Sequence, residues 1–195
     1  MPLRSVTIVE YRSAWSVEFE VIASELKETL GAEALRVDHI GSTAVPALAA
    51  KDIIDIQVTA RSLDGDISER LLAAGFTTHT NLVRQDHLPA GFEAGEQDWS
   101  KLFFMQKLGA RRCNIHVRQI GKPNQRYPLL VRDFLRAEPR IAQAYGGLKK
   151  RLASALADPE TYPDVKDPVA DIIYLAAERW AFATNWQPQH SALAE

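Results

Sequence analysis

The sequence predicts an α+β fold: a mixed sheet built by the first part of the chain, followed by a purely helical part. Three observations predict it. Apolar residues alternate with polar ones in Ile54-Asp55-Ile56-Gln57-Val58 and again in Asn114-Ile115-His116-Val117-Arg118, the period of half-covered strands. After the loop Gly121–Asn124 the apolar period becomes helical and stays so. Neither a repeat nor a Gly/Ser linker divides the 195 residues, so one domain over 1–195 is expected, sheet-rich over about 1–120 and helical over about 121–185.

The elements follow in order. Val6–Val9 reads as a short strand. Over Ser13–Leu30 the residues Trp15, Phe19, Ile22, Leu26 and Leu30 recur at steps of three and four, one stripe of an amphipathic helix that Gly31 can end. Leu35–Ile40 is strand-like, Gly41–Ser42 a turn into a short helical segment, and Ile53–Thr59 a second strand. Asp66–Ala74 reads as a helix closed by Gly75. From Phe76 to Gln119 the chain is mostly extended, with strands near Leu102–Lys107 and Cys113–Gln119 and a solvated loop over Pro89–Asp98. Beyond it, Pro139 opens a helix with the stripe Ile141, Tyr145, Leu148, Leu152 and Leu156. Asp167-Pro168 is a cap and first-turn proline for a last helix striped by Val169, Ile172, Ile173, Ala176 and Trp180. The residues from about Gln187 are expected to fray.

Composition narrows the function classes. Hydrophobic residues form 46% and charged residues 25% of the chain, enough apolar material to offset the ordering entropy. With 23 Lys+Arg against 25 Asp+Glu the net charge is −2, which disfavours a general nucleic-acid binder and an RNA-modifying transferase. A small anion held by local donors stays compatible with that balance. The start MPLRSVTIVE lacks a signal-peptide core, and no apolar run approaches the roughly 18 residues of a membrane span, so a cytoplasmic protein is expected. The single cysteine, Cys113, cannot pair internally or build a cysteine zinc site and reads as a buried small hydrophobe.

The residues that suggest chemistry begin at His39-Ile40-Gly41-Ser42-Thr43. Free backbone N–H groups at a helix start, with a hydroxyl beside them and a glycine permitting close approach, suit phosphate; such a turn is also an ordinary structural feature. Alternation puts Asp55 and Gln57 on one strand face and Asn114, His116 and Arg118 on one face of another, so neighbouring strands would make Asp55, Gln57 and His116 converge. Lys51 precedes the Asp55 strand and could reach an anion at the turn. Lys149 follows Tyr145 by four residues and shares its helix face. His39, opposite in phase to Ile40, is a metal ligand or a structural hydrogen-bonder. Arg84, Asp86 and His87 either edge a cleft or belong to an ordinary loop.

The spacing hydrophobe-Gly41-Ser42, twelve residues, then Asp55-hydrophobe-X-hydrophobe resembles the signature of the nucleotidyltransferase superfamily, in which X is an acid and a later strand adds a third carboxylate. More closely, HIGSTAVPALAAKDIIDIQV is similar to the hallmark segment of the GrpB family. The likeness continues through NIHVRQIGKPNQRYPLLVRDFLRAEP and AYGGLKKRLA to Lys166, over roughly residues 5–183. Asp52 and Ala47 stand where that pattern has Pro and Gly. The resemblance implies a nucleotidyltransferase-like mixed sheet flanked by helices, with a helical C-terminal segment. It implies a cleft for a nucleoside triphosphate or another small anion, with phosphate received by Gly41 and Ser42 and neutralised by Lys51, Lys149 and Lys166. It also implies a divalent cation, Mg²⁺ or Mn²⁺, at Asp55, Gln57 and His116, with Asp55 and His116 catalytic. Three carboxylates would carry about −3, whereas Asp55, Gln57 and a neutral His116 carry about −1, and imidazole favours Mn²⁺ or Zn²⁺ over Mg²⁺. Two readings follow: a metal-dependent nucleotidyltransferase, or a non-catalytic ligand-binding or interaction protein on the same fold.

Overall fold

In the computed structural model the described residues are 6–80, 82–83, 87–89, 91–93, 99–156, 158 and 161–188. The chain order is α1 (Ala14–Leu30), β1 (Arg36–Ile40), β2 (Ile54–Ala60), α2 (Ile67–Ala73), β3 (Leu82–Val83), β4 (Lys101–Met105), β5 (Cys113–Gln119), α3 (Pro123–Ala137), α4 (Pro139–Ala155) and α5 (Tyr162–Thr184). Short 3-10 helices, Gly31–Glu33 and Ser42–Ala44, follow α1 and β1. One five-stranded sheet runs in the order β1-β2-β5-β4-β3; β2 and β5 are parallel and the other neighbours antiparallel. This is the mixed α+β layout that the two alternating segments and the late change of period predict.

Register decides which face each side chain takes. Asp55 pairs with Asn114, Gln57 with His116 and Thr59 with Arg118, so β2 and β5 turn their polar residues to one face together. The other face carries Ile54, Ile56, Val58, Ala60, Cys113, Ile115 and Val117, all buried with the α1 stripe and with Ile67 and Leu71 of α2. Removing such side chains from water is worth roughly 1.5–3 kcal/mol apiece, which fixes the register. A second core joins α3, α4 and α5 through Leu130, Phe134, Ala142, Ile173, Tyr174 and Ala177, and reaches Val45 and Leu48 after the 3-10 helix. The helical half therefore folds back over the polar face of the sheet.

Four expectations need correction. Val6–Val9 is not a strand: only Val9 pairs, in a single bridge to Ala50. The last helix begins at Tyr162 rather than at Asp167-Pro168. Pro163 takes the tolerated first-turn place, and Pro168, with φ already helical, forgoes one hydrogen bond inside the helix. Within that helix Ile172 is 65% exposed, and Tyr174, Ala177 and Ala181 carry the burial with Ile173. The Pro89–Asp98 segment is solvated only in part: Gly91, Phe92 and Glu93 are exposed, but Pro89 is buried and the Phe92 ring also packs on Trp99 and Tyr174; residues 90 and 94–98 lie outside the described residues.

Candidate functional site

The site grows from the end of β1. Gly41 has φ +69°, and a Cβ built there would lie 2.6 Å from Asp55 Oδ2, so the residue must be glycine for two reasons at once. The antiparallel pairing of Ile40 with Asp55 brings the carboxylate beside the turn. Asn114, its partner on β5, donates to Asp55 Oδ1 at 2.8 Å and fixes the carboxylate plane. Arg136 of α3 donates to Ala44 O, satisfying the end of the 3-10 helix. Arg132 donates to His39 O and ion-pairs with Asp38, tying α3 to β1.

Next to this turn lies a cavity of about 350 Å³, walled by Gly41, Ser42, Lys51 and Asp55 on one side and by α3, α4 and α5 on the other. Lys149 enters it from α4. It is 3% exposed, its Nζ donates to Ser42 Oγ at 2.7 Å, and it lies 4.7 Å from the centre of the Tyr145 ring. Among the described residues it has no ion-pair partner. Burial, reinforced by the neighbouring Lys166 charge and opposed by Asp55, brings its pKa down to about 7. Lys166 is held above its usual range: burial opposes ionisation, but Tyr145 and a 2.9 Å ion pair with Asp167 outweigh it. Lys51 sits over the Tyr162 ring at 4.3 Å. Gly41, Ser42, Lys51, Asp55, Lys149 and Lys166 are thus brought together on one cavity.

Gln57 and His116 are not part of that wall. Gln57 is fully buried; its Oε1 accepts from Arg118 at 2.9 Å and its Nε2 donates to Gln125 O at 3.0 Å. An amide engaged at both ends is a core hydrogen-bonder, so the grouping of Gln57 with Asp55 on one cation finds no support in the geometry. His116 Nε2 lies 3.9 Å from Asp55 Oδ1, beyond hydrogen-bond range, and its buried Nδ1 has no partner among the described residues. Burial pulls its pKa down to about 4, so the ring is neutral at pH 7. Among the described residues no three His, Cys, Asp or Glu side chains are grouped to hold a metal. This donor set does not fit a two-ion centre, which needs more fixed negative charge than Asp55 supplies.

The remaining candidates resolve structurally. His39 stacks on Phe19 with centroids 4.7 Å apart and hydrogen-bonds Thr43 on the α1 side of the sheet; burial takes its pKa to about 4. Cys113 is buried and its thiol is pushed up to about 12, an inert apolar residue. His87 pairs with Asp171 and Asp167 of α5, while Arg84 and Asp86 lie outside the described residues. Sequence reasoning missed Asn114 as the carboxylate's partner, Tyr127 and Tyr162 as aromatic walls, and Arg132 as a cavity residue. Asn114 had a signal in its alternation with His116; the helical residues had none, since their pairing with the sheet is a tertiary fact.

Comparison with known proteins bears on this geometry. A family profile described as "GrpB protein" matches residues 5–175. The crystal structure of the conserved protein GrpB from Enterococcus faecalis superposes with a TM-score of 0.63 at 29% identity, covering 93% of this chain and 100% of that one. The UPF0157 protein YqkA of Bacillus subtilis (strain 168) is 33% identical over 94% of this chain and 50% of its own length. The dephospho-CoA kinase of Mycobacterium tuberculosis (strain ATCC 25618 / H37Rv) is 37% identical over 90% of this chain and 46% of its own length. The chain thus spans about half the length of these curated relatives.

Proposed function

Because the chain belongs to the GrpB family, we propose that its cleft binds the phosphates of a nucleotide. The observation that carries this reading is Lys149, a buried ammonium whose direct partners among the described residues are a hydroxyl and a ring face. A buried cation without a counter-charge costs several kcal/mol, and a phosphate oxygen between Nζ and Ser42 Oγ supplies that counter-charge. Lys51 and Lys166 neutralise the remaining phosphate charge, and Tyr127 and Tyr162 offer aromatic surface to the rest of the ligand. The near-neutral whole-chain charge agrees with a local anion site and disfavours a nucleic-acid track.

A second reading, nucleotidyl transfer, is favoured by the position of Asp55 against the Gly41-Ser42 turn. With the two-ion set lacking, one Mg²⁺ or Mn²⁺ would rest on Asp55 and on the nucleotide's own phosphates. The kinase name of the mycobacterial relatives is not carried over. It belongs to proteins about twice this length, and this sequence contains no G-x-x-x-x-G-K-[ST] phosphate loop.

Thermal melts with each of the four common nucleoside triphosphates, with and without Mg²⁺ or Mn²⁺, test both readings. At 100 times the dissociation constant the stabilisation is about 2.7 kcal/mol. Lys149→Met is expected to remove the shift, and Asp55→Asn only its metal-dependent part. Absence of any nucleotide shift under every metal condition sinks the first reading; a shift in the parent protein that neither metal enlarges sinks the second.

A further inference from the structure

Ser42 and Lys149 form more than an anion cradle. The hydroxyl stands at a sharp strand-to-helix turn, forced by Gly41 at φ +69°, and lines the cavity. A lysine Nζ lies 2.7 Å from its Oγ. That lysine is 3% exposed and forms no ion pair among the described residues, the environment that lets an amine lose its proton near neutral pH. The charged and titratable groups that face it are Lys166 from α5, Tyr145 on its own helix and Asp55 from β2. Lys166 disfavours the ammonium; Asp55 and the Tyr145 ring favour it. Serine beside a desolvated lysine is a nucleophile with its own general base, independent of any metal.

We propose that Ser42 and Lys149 are a nucleophile–base pair that cleaves an acyl ester or thioester whose leaving group carries a phosphate or similar anionic charge. Only the placing of that anionic end, against Lys51 and Lys166, rests on the phosphate-binding reading; in this complex the scissile carbonyl, not a phosphate oxygen, lies beside Ser42 Oγ and Lys149 Nζ. In the first step the neutral Lys149 amine takes the Ser42 Oγ proton as the Oγ–carbonyl bond forms and the carbonyl oxygen becomes an oxyanion. Collapse breaks the bond to the leaving oxygen or sulfur, which takes the proton from the Lys149 ammonium. Water then adds to the acyl-serine, giving its proton to Lys149, and the carboxylic acid departs as the proton returns to Oγ. Ester and water become acid and alcohol, or thiol, with no other reactant.

A fluorophosphonate reagent tests the pair without a known substrate, since it phosphonylates an activated serine and releases fluoride. The expected result is one adduct by intact mass, mapped to Ser42, forming faster as pH rises and levelling off above about 7. Ser42→Ala gives no adduct. Lys149→Arg keeps the positive charge but cannot act as a base, so it slows labelling about 100-fold or more while keeping the anion-dependent thermal shift. Lys149→Met slows labelling equally and loses that shift; if it fails to fold, Lys149→Arg and the pH profile decide. No adduct in the parent protein, an adduct elsewhere, or labelling indifferent to Lys149→Arg overturns the pair. A retained nucleotide shift then leaves phosphate binding standing, whereas loss of both removes both.

Discussion

Ala47 shows how one residue records a backbone requirement. It sits at φ +61° in the turn after the 3-10 helix, where the GrpB pattern has glycine. An L-side chain in the left-handed region costs roughly 1–2 kcal/mol, partly offset by the greater entropy that glycine regains on unfolding. Ala47→Gly is therefore expected to raise stability by about 0.5–1 kcal/mol, read as a higher urea midpoint; a lower midpoint contradicts the strain. Residues differ in how plainly the sequence announces them. Gly41, Ser42 and Asp55 were legible because their spacing resembles the GrpB hallmark segment, whereas the turn by itself was open to an ordinary structural reading. Gln57 was not, although its face was read correctly. Alternation gives the side a residue points to, but not that Arg118 and the Gln125 carbonyl wait there to occupy its amide.

Among the elements, α1 is tied to the sheet by a residue that departs from the family pattern. Asp52 accepts from the indole of buried Trp15 at 2.8 Å, from Arg12 at 2.9 Å, and from Arg111 in the β4–β5 loop. Partial burial opposes its ionisation, but the Trp15 hydrogen bond and the Arg111 and Arg12 charges prevail and hold the carboxyl below its usual range. A depressed folded pKa contributes stability above the unfolded value near 3.8, lost as pH falls through the lower folded one. Asp52→Ala is expected to cost about 1–3 kcal/mol by leaving the indole N–H buried and unpaired. It should also flatten the acid limb below pH 4 in pH-dependent melts; an unchanged limb removes Asp52 from that linkage. Strands were the most readable elements, because period two survives in a sheet covered on both faces by different chemistry. The α5 start was not, because Asp167-Pro168 imitates a helix start while the real one has Thr161 at the N-cap and Pro163 in the first turn, five residues before Pro168.

For the whole molecule, the buried lysine couples protonation to stability, and under the proposed function to anion binding as well. Lys149 titrates at about 7 when folded and near 10.5 when unfolded, so between these values the unfolded chain binds more protons. Its charge therefore weighs against the unliganded fold at low pH, and this cost is relieved as pH rises from about 7 toward 10.5. Anion binding runs the other way, because it favours the ammonium. Sulfate, whose charge is constant over this range, should raise the melting temperature more at pH 6 than at pH 9. Lys149→Arg should remove most of that pH dependence; an increment equal at both pH values contradicts the coupling. The cleft itself was only half legible. Its sheet wall follows from motif spacing, whereas its helical wall depends on how α3, α4 and α5 pack through Leu130, Phe134 and Ala177, which no local pattern encodes.

The separation of 107 positions between Ser42 and Lys149 has a kinetic meaning as well. The β1–β2 pairing closes a short loop, but the cleft is complete only after α4 has docked across most of the chain. Loop-closure entropy and contact order place such a joint late in folding. In stopped-flow refolding, sheet structure should return before nucleotide binding, and Ile141→Ala in α4 should delay only the second event. Nascent or partly refolded chains would then carry a finished Gly41-Ser42 turn without Lys149 beside it. On this expectation the late docking of α4 is the step that completes the cavity wall.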